Sequence, residues 1–249
     1  MRASTARKLL AWLLGGTAVL LLLVGEPRQA LAVGLIGATV GLLFLGGWWL
    51  RDRPRADAYA AEAQRLGLRY AFEDPHDLLS LGHPLLHRVV NVRGLEHVSW
   101  GSWNGLEVEA FEYWYAVGSD PSRNDYRRFT CVLLGVPASW PDIVIEPQRA
   151  ITALADAAGA TEVDTELERF NRAYRVVCED ARFASALIDQ RVMVWLMEAA
   201  AGVGFQIADG RLLVFADRVE PWQLGSILAI GGGFLSQVPG ALHSLYPDT

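Results

Sequence analysis

Two histidines four residues apart are the first candidates for chemistry in this chain. The HPLLH motif at residues 83–87 has the spacing with which two imidazoles on one helix face share a zinc ion. One hypothesis is therefore a metal-assisted hydrolase that uses His76, His83 and His87. However, Pro84 disfavours helical geometry at the residue before it, and the motif contains no Glu to act as a base. Ordinary surface and loop histidines are the favoured interpretation, and we expect no bound metal and no other cofactor.

Three glutamates in a short stretch are the second candidates. Paired carboxylates can divide acid and base roles between them. In a strand with two-residue periodicity, Glu107 and Glu109 share one face, whereas Glu112 lies on the other. Because they lie close to a predicted turn, we expect a solvated strand end. The sequence also lacks a G-x-S-x-G motif, a P-loop and a G-x-G-x-x-G motif. Nothing identifies an enzymatic activity, and the balance favours a protein that is not an enzyme.

Aromatic residues surround these glutamates and suggest a binding surface. A ligand could stack on the rings of one sheet face, and this would make the domain a small-ligand sensor. The competing interpretation is cross-strand aromatic packing within the core. The candidate ligand-binding residues are Trp100, Trp103, Phe111, Tyr113 and Tyr115.

The element that positions these side chains is a predicted β-hairpin over residues 99–117. Asn104-Gly105 is a residue pair typical of a type I′ turn, and alternating apolar positions flank it. Both faces of the second arm are partly apolar, which indicates a central strand. We predict a third strand at 128–136 and a short fourth at 142–145. Since each connection is short, the expected strand order is a meander.

Helices and a second hairpin are predicted on either side of this region. Asp180 stands where an N-cap belongs, ahead of an apolar helical run at 181–200. Asp209-Gly210 indicates another two-residue hairpin turn. Three consecutive glycines, 231–233, interrupt a helical stripe at 224–238, and a helix tolerates them only where a neighbour packs closely or the helix breaks. The other predictions are a helix at 56–66 that stops at Gly67, a loop with a short helix near 77–81, a helix at 148–158 and a strand at 168–178.

Two uncharged apolar segments begin the chain and predict a transmembrane hairpin. Residues 9–25 and 30–50 each have the length of a membrane span, and only four residues separate them. Basic residues flank the pair on both sides, so the predicted topology is multi-pass in the inner (plasma) membrane with both termini cytoplasmic. A signal peptide is the alternative. Small residues at four-residue spacing in the second segment suggest close helix packing, either within the hairpin or in a homodimer; they are Gly34, Gly37, Ala38 and Gly41.

The charge distribution excludes one class of partner. Residues 1–55 carry seven Lys and Arg against two Asp and Glu, whereas residues 56–249 carry fifteen against twenty-six. Acidic side chains repel the negatively charged phosphate backbone of a nucleic acid, so we expect no nucleic acid partner. Cys131 and Cys178 lie in apolar, strand-like runs and are expected to be buried and unpaired.

The order of several segments resembles a known family. Phe111-Glu112-Tyr113-Trp114-Tyr115 precedes an apolar strand, residues 168–176 (ERFNRAYRV) follow later, and the cap at Asp180 comes after them. Over residues 100–215 this pattern is similar to an uncharacterised family of bacterial membrane proteins with two N-terminal spans and a cytoplasmic α+β domain. The resemblance implies this architecture and brings no catalytic residue with it.

The combined expectation is a two-part chain. Residues 1–55 form a two-helix transmembrane hairpin, and residues 56–249 form a cytoplasmic α+β domain with a mainly antiparallel sheet packed with helices. The leading hypothesis is a membrane-anchored module, held in the lipid bilayer, that binds a protein partner or forms a homodimer. A small-ligand-sensing domain is the alternative, and a hydrolase is the third candidate.

Overall fold

A computed structural model describes residue 39 and residues 53–87, 90, 92–116, 126–148 and 162–247. The chain divides into two compact units, Met1–Ala58 and Tyr59–Thr249. Within the described residues, no helix combines the length and the apolar character that crossing a bilayer requires. The two predicted spans fall outside the described residues except at Thr39, and so do the predicted packing residues Gly34, Gly37, Ala38 and Gly41.

An eight-stranded antiparallel sheet forms the centre of the second unit, and the predicted α+β class is confirmed. The strand order is β1-β2-β3-β4-β8-β7-β5-β6. The strands are β1 (Arg69–Ala71), β2 (Arg93–Trp103), β3 (Leu106–Ala116), β4 (Tyr126–Gly135), β5 (Ile143–Pro147), β6 (Tyr174–Cys178), β7 (Gly204–Ala208) and β8 (Arg211–Asp217).

Both predicted hairpin turns are confirmed. Asn104 and Gly105 have φ angles of 49° and 80°, and Asp209 and Gly210 have φ angles of 51° and 67°. Two successive positive φ angles are the signature of the type I′ turn, whose twist matches that of the flanking strands. The first turn joins β2 to β3, and the second joins β7 to β8. These turns set the register of both hairpins.

The predicted meander is wrong beyond β4. The strand predicted at 142–145 is β5, but β4 pairs with β8, and β5 lies between β7 and β6. Val132 and Leu134 of β4 face the first core described below, and β8 places Val214 and Leu212 opposite them. The seven residues of β8 pair along β4 from Phe129 to Gly135.

The sheet buries apolar side chains on both faces, as the pattern of β3 predicted. Val108 and Ala110 contribute to the first core, whereas Phe111 and Tyr113 contribute to the second. Described helices cover the first face: α1 (residues 53–65), α2 (Glu168–Asn171), α3 (Ala181–Leu187), α4 (Gln190–Ala199), α5 (Leu224–Gln237) and α6 (Gly240–Leu245). The second face is covered by the segment 72–87, which includes a short 3-10 helix at Leu78–Ser80.

Helix α1 stops where the sequence indicated, but the run at 181–200 does not form one helix. Gly67 follows α1 with a φ of 76°, and Asp180 caps α3 by accepting a hydrogen bond from the Phe183 amide at 2.9 Å. The run then breaks at Ile188, and Asp189 caps α4 through the Val192 amide at 2.8 Å. The second aspartate offers the backbone a cap, and a cap in mid-run begins a new helix.

Close packing explains two of the three consecutive glycines in α5. A Cβ on Gly231 would come within 2.7 Å of Leu134 Cδ1, and one on Gly233 within 2.9 Å of Trp195 Cζ2. The helix continues unbroken through them and buries Ile227, Leu228 and Phe234 in the first core. The prediction of a core helix at 224–238 is therefore confirmed, and Gly231 and Gly233 are sites of close contact.

Candidate functional site

Glu112 is a fully buried carboxylate in the middle of β3. Arg218 binds it with both prongs of its guanidinium: Nε donates to Oε1 at 3.0 Å, and Nη2 donates to Oε2 at 3.2 Å. The hydroxyl of Tyr59, at 1% exposure, donates to Oε1 at 3.0 Å. A planar guanidinium matches a carboxylate bidentately, and such a pair compensates much of the cost of burying the charge.

Hydrogen bonds to β4 position the segment after β8, and with it Arg218. Its backbone amide donates to the carbonyl of Arg128 at 3.1 Å. The next amide, of Val219, donates to the hydroxyl of Thr130 at 3.1 Å. Thr130 lies directly opposite Glu112 in the β3–β4 register. Three successive contacts with β3 and β4 therefore fix the arginine over the carboxylate.

A bulge in β2 places a histidine beside the same carboxylate. The β2–β3 register shifts between Glu96 and Ser99. His97, within the shift, has a left-handed φ of 58°, and its amide donates to the carbonyl of Phe72 at 3.0 Å. A left-handed backbone at a residue other than glycine costs about 1–3 kcal/mol and persists only where the surroundings enforce it.

The imidazole of His97 is enclosed by aromatic rings. It stacks on Tyr59 with ring centroids 4.7 Å apart, and its Nδ1 lies 2.9 Å from the Tyr70 hydroxyl. Its Nε2 lies 3.9 Å from Glu112 Oε2, which is beyond hydrogen-bond distance. The imidazole is 3% exposed. We call Tyr59, His97, Glu112 and Arg218 the buried network.

A second carboxylate stands beside the buried network. Glu96 lies directly opposite Glu112 in the β2–β3 register. The indole of Trp114 donates to Glu96 Oε1 at 3.0 Å, and Arg128 Nη1 lies 3.9 Å from Oε2. Two like charges opposite each other are destabilising in a sheet. Here each carboxylate has its own arginine, which offsets the repulsion.

The chemistry open to this arrangement is limited by burial. Glu112, Tyr59 and His97 are all nearly or wholly inaccessible, and the contacts described above are made to other parts of the same fold. A general base must lie within reach of the proton it abstracts from a substrate. The described geometry therefore attaches α1 and the segment after β8 to the sheet, and it encloses the Glu112 carboxylate, the Tyr59 hydroxyl and the His97 imidazole within the fold.

The histidines considered as a possible zinc motif do not form a metal-binding group. Within the described residues, no three His, Cys, Asp or Glu side chains are grouped to hold a metal ion. The expectation of surface histidines is wrong at His83, which is fully buried, and also at His97. His83 Nε2 lies 3.1 Å from the Arg211 carbonyl, which can only accept, so Nε2 carries the proton. Burial lowers the pKa of His83, which favours the neutral imidazole.

The glutamates separate into two kinds. Glu109 accepts a 2.7 Å hydrogen bond from Arg211 and lies 2.7 Å from His76 Nδ1 at the partly exposed edge of the hairpin. Glu107 is exposed. The prediction of a solvated strand end is wrong for Glu112, because its neighbours on that face of β3 are core residues.

The predicted aromatic platform is divided between the two faces. Phe111, Tyr113 and Tyr115 are 1%, 0% and 3% exposed and belong to the second core. Trp100 packs against the second core, and Trp103 packs against the first. Cross-strand core packing accounts for the three buried rings. Burial also raises the pKa of Tyr113 to about 12, so its hydroxyl keeps its proton.

Sequence reasoning missed Tyr59, His97 and Arg218 as site residues, but one signal was available. Strand periodicity places Glu112 on the same face as Val108 and Ala110. A carboxylate on an apolar face of a central strand requires a buried cation or hydrogen-bond donors. The identity of the cation could not follow from this signal, because Arg218 lies 106 residues away in the chain.

A cavity lies apart from the buried network, between residues 163–166 and helices α3 and α4. Its volume is about 250 Å³, which is smaller than a typical ligand pocket. Its apolar wall is formed by Val176, Ala184, Ile188 and Met193, and its polar rim includes Asp164, Thr165, Glu166 and Asp189.

Comparison with known proteins leaves the family open. No family model matches the chain. No curated protein matches it either. The resemblance to an uncharacterised bacterial membrane protein family therefore stays a prediction.

One solved structure shares the fold. The chain resembles the crystal structure of the mycobacterial trehalose monomycolate transport factor A, TtfA, with a TM-score of 0.51 and 14% sequence identity. The match covers 75% of this chain and 97% of that chain. At this identity, the likeness shows a common fold and no more.

Proposed function

We propose that this chain is a membrane-anchored module whose α+β domain binds a protein partner, or a second copy of itself, at the cytoplasmic face of the inner membrane. The observation that carries the proposal is the hydrogen bond from Tyr59 to Glu112. Tyr59 is the first residue of the second compact unit. The described helix, residues 53–65, therefore contributes Tyr59 to the buried face of the domain.

The short connection limits where a partner can be bound. Eight residues lie between Leu50, the end of the second apolar segment, and Tyr59, and residues 53–58 are helical. A domain tethered this closely experiences a high effective concentration of other membrane components. Partners that are themselves at the membrane are thus favoured.

Burial of the network supports a binding role over an enzymatic one. The carboxylate and the imidazole with the most unusual surroundings are enclosed by the fold. The structural neighbour TtfA is a mycobacterial transport factor, and a module that binds partners is compatible with that description. That similarity is too distant to extend the neighbour's cargo to this chain.

Topology and capture experiments test the proposal separately. A compartment-sensitive reporter fused after Asp57 or after Thr249 should report the cytoplasm at both positions, and an external signal at both would overturn the proposed anchor. Cross-linking in native membranes, followed by affinity capture, should recover a specific membrane-associated partner. Two differently tagged copies of the chain would reveal self-association in the same experiment. If neither a partner nor self-association is found, the binding role is refuted.

A further inference from the structure

The cavity between residues 163–166 and helices α3 and α4 offers a small apolar surface to a ligand. Its volume is about 250 Å³, which about eight water molecules would fill. The wall consists of apolar side chains that the rest of the fold buries: Val176, Ala184, Ile188 and Met193. An apolar group that packs against this wall removes it from water, and this favours association.

Hydrogen bonds fix the rim of the cavity on both sides. On one side, the Val163 amide donates to the Val176 carbonyl at 2.9 Å. Next to it, the Thr165 amide donates to Asn171 Oδ1 at 3.1 Å, and Asn171 Nδ2 donates back to the Thr165 carbonyl at 2.9 Å. On the other side, Asp189 caps the beginning of α4. Because these elements are already in place, little entropy is lost in ordering them when a ligand binds.

The polar groups of the rim favour a ligand that donates hydrogen bonds. The Thr165 hydroxyl donates its only proton to Asn171 Oδ1 at 2.6 Å, so any further hydrogen bond at this oxygen is one that it accepts. The exposed side chains of Asp164 and Glu166 are carboxylates, which attract positive charge. Asp189 places a third carboxylate at the N-terminus of α4, where an anion would otherwise be favoured. The rim therefore selects a cation.

The described lining of the cavity supplies no cation of its own. Among the described residues that line it, none is Lys, Arg or His. Arg175 and Arg191 are chain neighbours of lining residues, but both have partners elsewhere. Arg175 Nε donates to Glu162 Oε2 at 3.1 Å, and Arg191 Nη2 donates to the Gln237 carbonyl at 2.6 Å. A cation from another molecule is therefore the ligand that complements the rim.

We propose that this cavity binds a small organic cation, namely a primary ammonium group on a short apolar chain. The ammonium group lies at the rim, where it donates to the carboxylates of Asp164 and Glu166 and to the Thr165 hydroxyl. The apolar chain packs against Ile188 and Met193. The volume admits a ligand of about eight to ten non-hydrogen atoms, each of about the size of a water molecule. The residues of the cavity all lie in the second compact unit, so this binding does not depend on the membrane anchor.

Methyl NMR of the full chain in detergent micelles tests this site directly. The chain has three methionines, Met1, Met193 and Met197, so ¹³C-methyl labelling gives one signal for each, and Met193→Leu and Met197→Leu assign two of them. Met193 lines the cavity, whereas Met197 packs against the first core outside the lining. The probe is 2-phenylethylamine, whose ring can contact the Met193 thioether. Its controls are the neutral 2-phenylethanol and the anionic phenylacetate.

We expect the amine to shift the Met193 signal saturably and the Met197 signal much less. The alcohol should bind about tenfold more weakly, because it lacks charge-assisted hydrogen bonds to the rim, and phenylacetate should not bind.

A double variant tests the role of the rim. Asp164→Asn with Glu166→Gln should weaken binding of the amine about tenfold and leave that of the alcohol unchanged. Both side chains are exposed, so the double variant should still fold. Glu198→Gln is the matched control, since Glu198 is exposed on α4 and lies outside the lining, and it should leave binding of the amine unchanged.

Several results would overturn the inference. If no probe shifts the Met193 signal, the cavity is not a ligand site, and equal shifts at Met193 and Met197 would indicate mere partition of the probe into the micelle. Equal affinities for the amine and the alcohol would show that the cavity selects apolar groups without regard to charge. If the double variant binds the amine as tightly as Glu198→Gln does, Asp164 and Glu166 do not form the binding rim. None of these results bears on partner binding, which the topology and capture experiments test.

Discussion

Arg218 and Glu112 form a two-pronged ion pair between a loop and the middle of a central strand, with the carboxylate fully buried and the guanidinium partly exposed. The pair joins chain positions 106 residues apart. Because Tyr59 shares the carboxylate, the pair also fixes the beginning of the domain. Its strength can therefore be measured through the stability of the whole second unit.

Removing the arginine should be costly. Arg218→Ala leaves a buried carboxylate without its cation, and we expect the free energy of unfolding to fall by about 3 kcal/mol. Arg211→Ala is the matched control, because the Arg211–Glu109 pair is partly exposed on both sides, and we expect a loss of less than about 1 kcal/mol. Urea unfolding of the full chain in detergent micelles measures both. If both variants lost the same free energy of unfolding, the buried pair would stabilise the domain no more than the partly exposed pair does.

Adjacent glycines in α5 should respond differently to the same substitution. A Cβ on Gly231 would press on Leu134, which is itself buried, so Gly231→Ala should destabilise the domain by about 1–2 kcal/mol. A Cβ on Gly232 would come no closer than 3.4 Å to Leu106. Gly232→Ala should then be neutral or stabilising by up to about 1 kcal/mol, because alanine favours the helix. Thermal unfolding of both variants distinguishes the effect of packing from that of helix propensity. A change in stability of the same sign for both variants would contradict the packing argument.

The free energy of unfolding should fall as the pH drops below the pKa of an ordinary histidine. The pKa of His83 is lowered in the folded state by burial, so between the folded and unfolded pKa values the unfolded chain binds more protons. The contribution is complete above the unfolded value of about 6.5 and is lost as the pH falls towards the folded value. The charged or titratable groups that act on the pKa of His83 are Asp209, Arg211 and His87.

Unfolding temperatures between pH 5 and pH 8 test this dependence. His83→Gln keeps a donor for the Arg211 carbonyl and should flatten the decline. The exposed His243 in α6 is the control, and His243→Gln should retain the slope of the unmodified chain. If His83→Gln retains it as well, the pH dependence has another origin.

Both cysteines should resist modification until the domain unfolds. Cys131 is fully buried and burial raises its pKa well above the ordinary range, while Cys178 is 2% exposed and burial raises its pKa too. Thiolate is the reactive form, so both effects slow alkylation. Mass spectrometry after brief maleimide treatment should find no label on the folded chain and two labels in denaturant. Labelling of either thiol before unfolding would contradict the described packing.

Local features of the fold were predictable because short sequences decide them. Asn104-Gly105 and Asp209-Gly210 adopt positive φ angles with little strain, so each specifies its own turn. Asp180 caps α3 through an amide three residues away. The break at Ile188 in the helix predicted at 181–200 also has a local cause, since Asp189 repeats the capping signal that was recognised at Asp180.

The tertiary structure alone decided which distant segments meet. Strand β5 looked like the next strand of a meander, but β8 takes the place beside β4 and sets Leu212 and Val214 opposite Leu134 and Val132. The buried network has the same origin. Strand periodicity placed Glu112 on an apolar face, but pairing with β8 brings Arg218 over it, and the bulge at His97 makes room beside it. Side-chain type is a property of the sequence, whereas neutralising a buried charge depends on long-range pairing that no local pattern encodes.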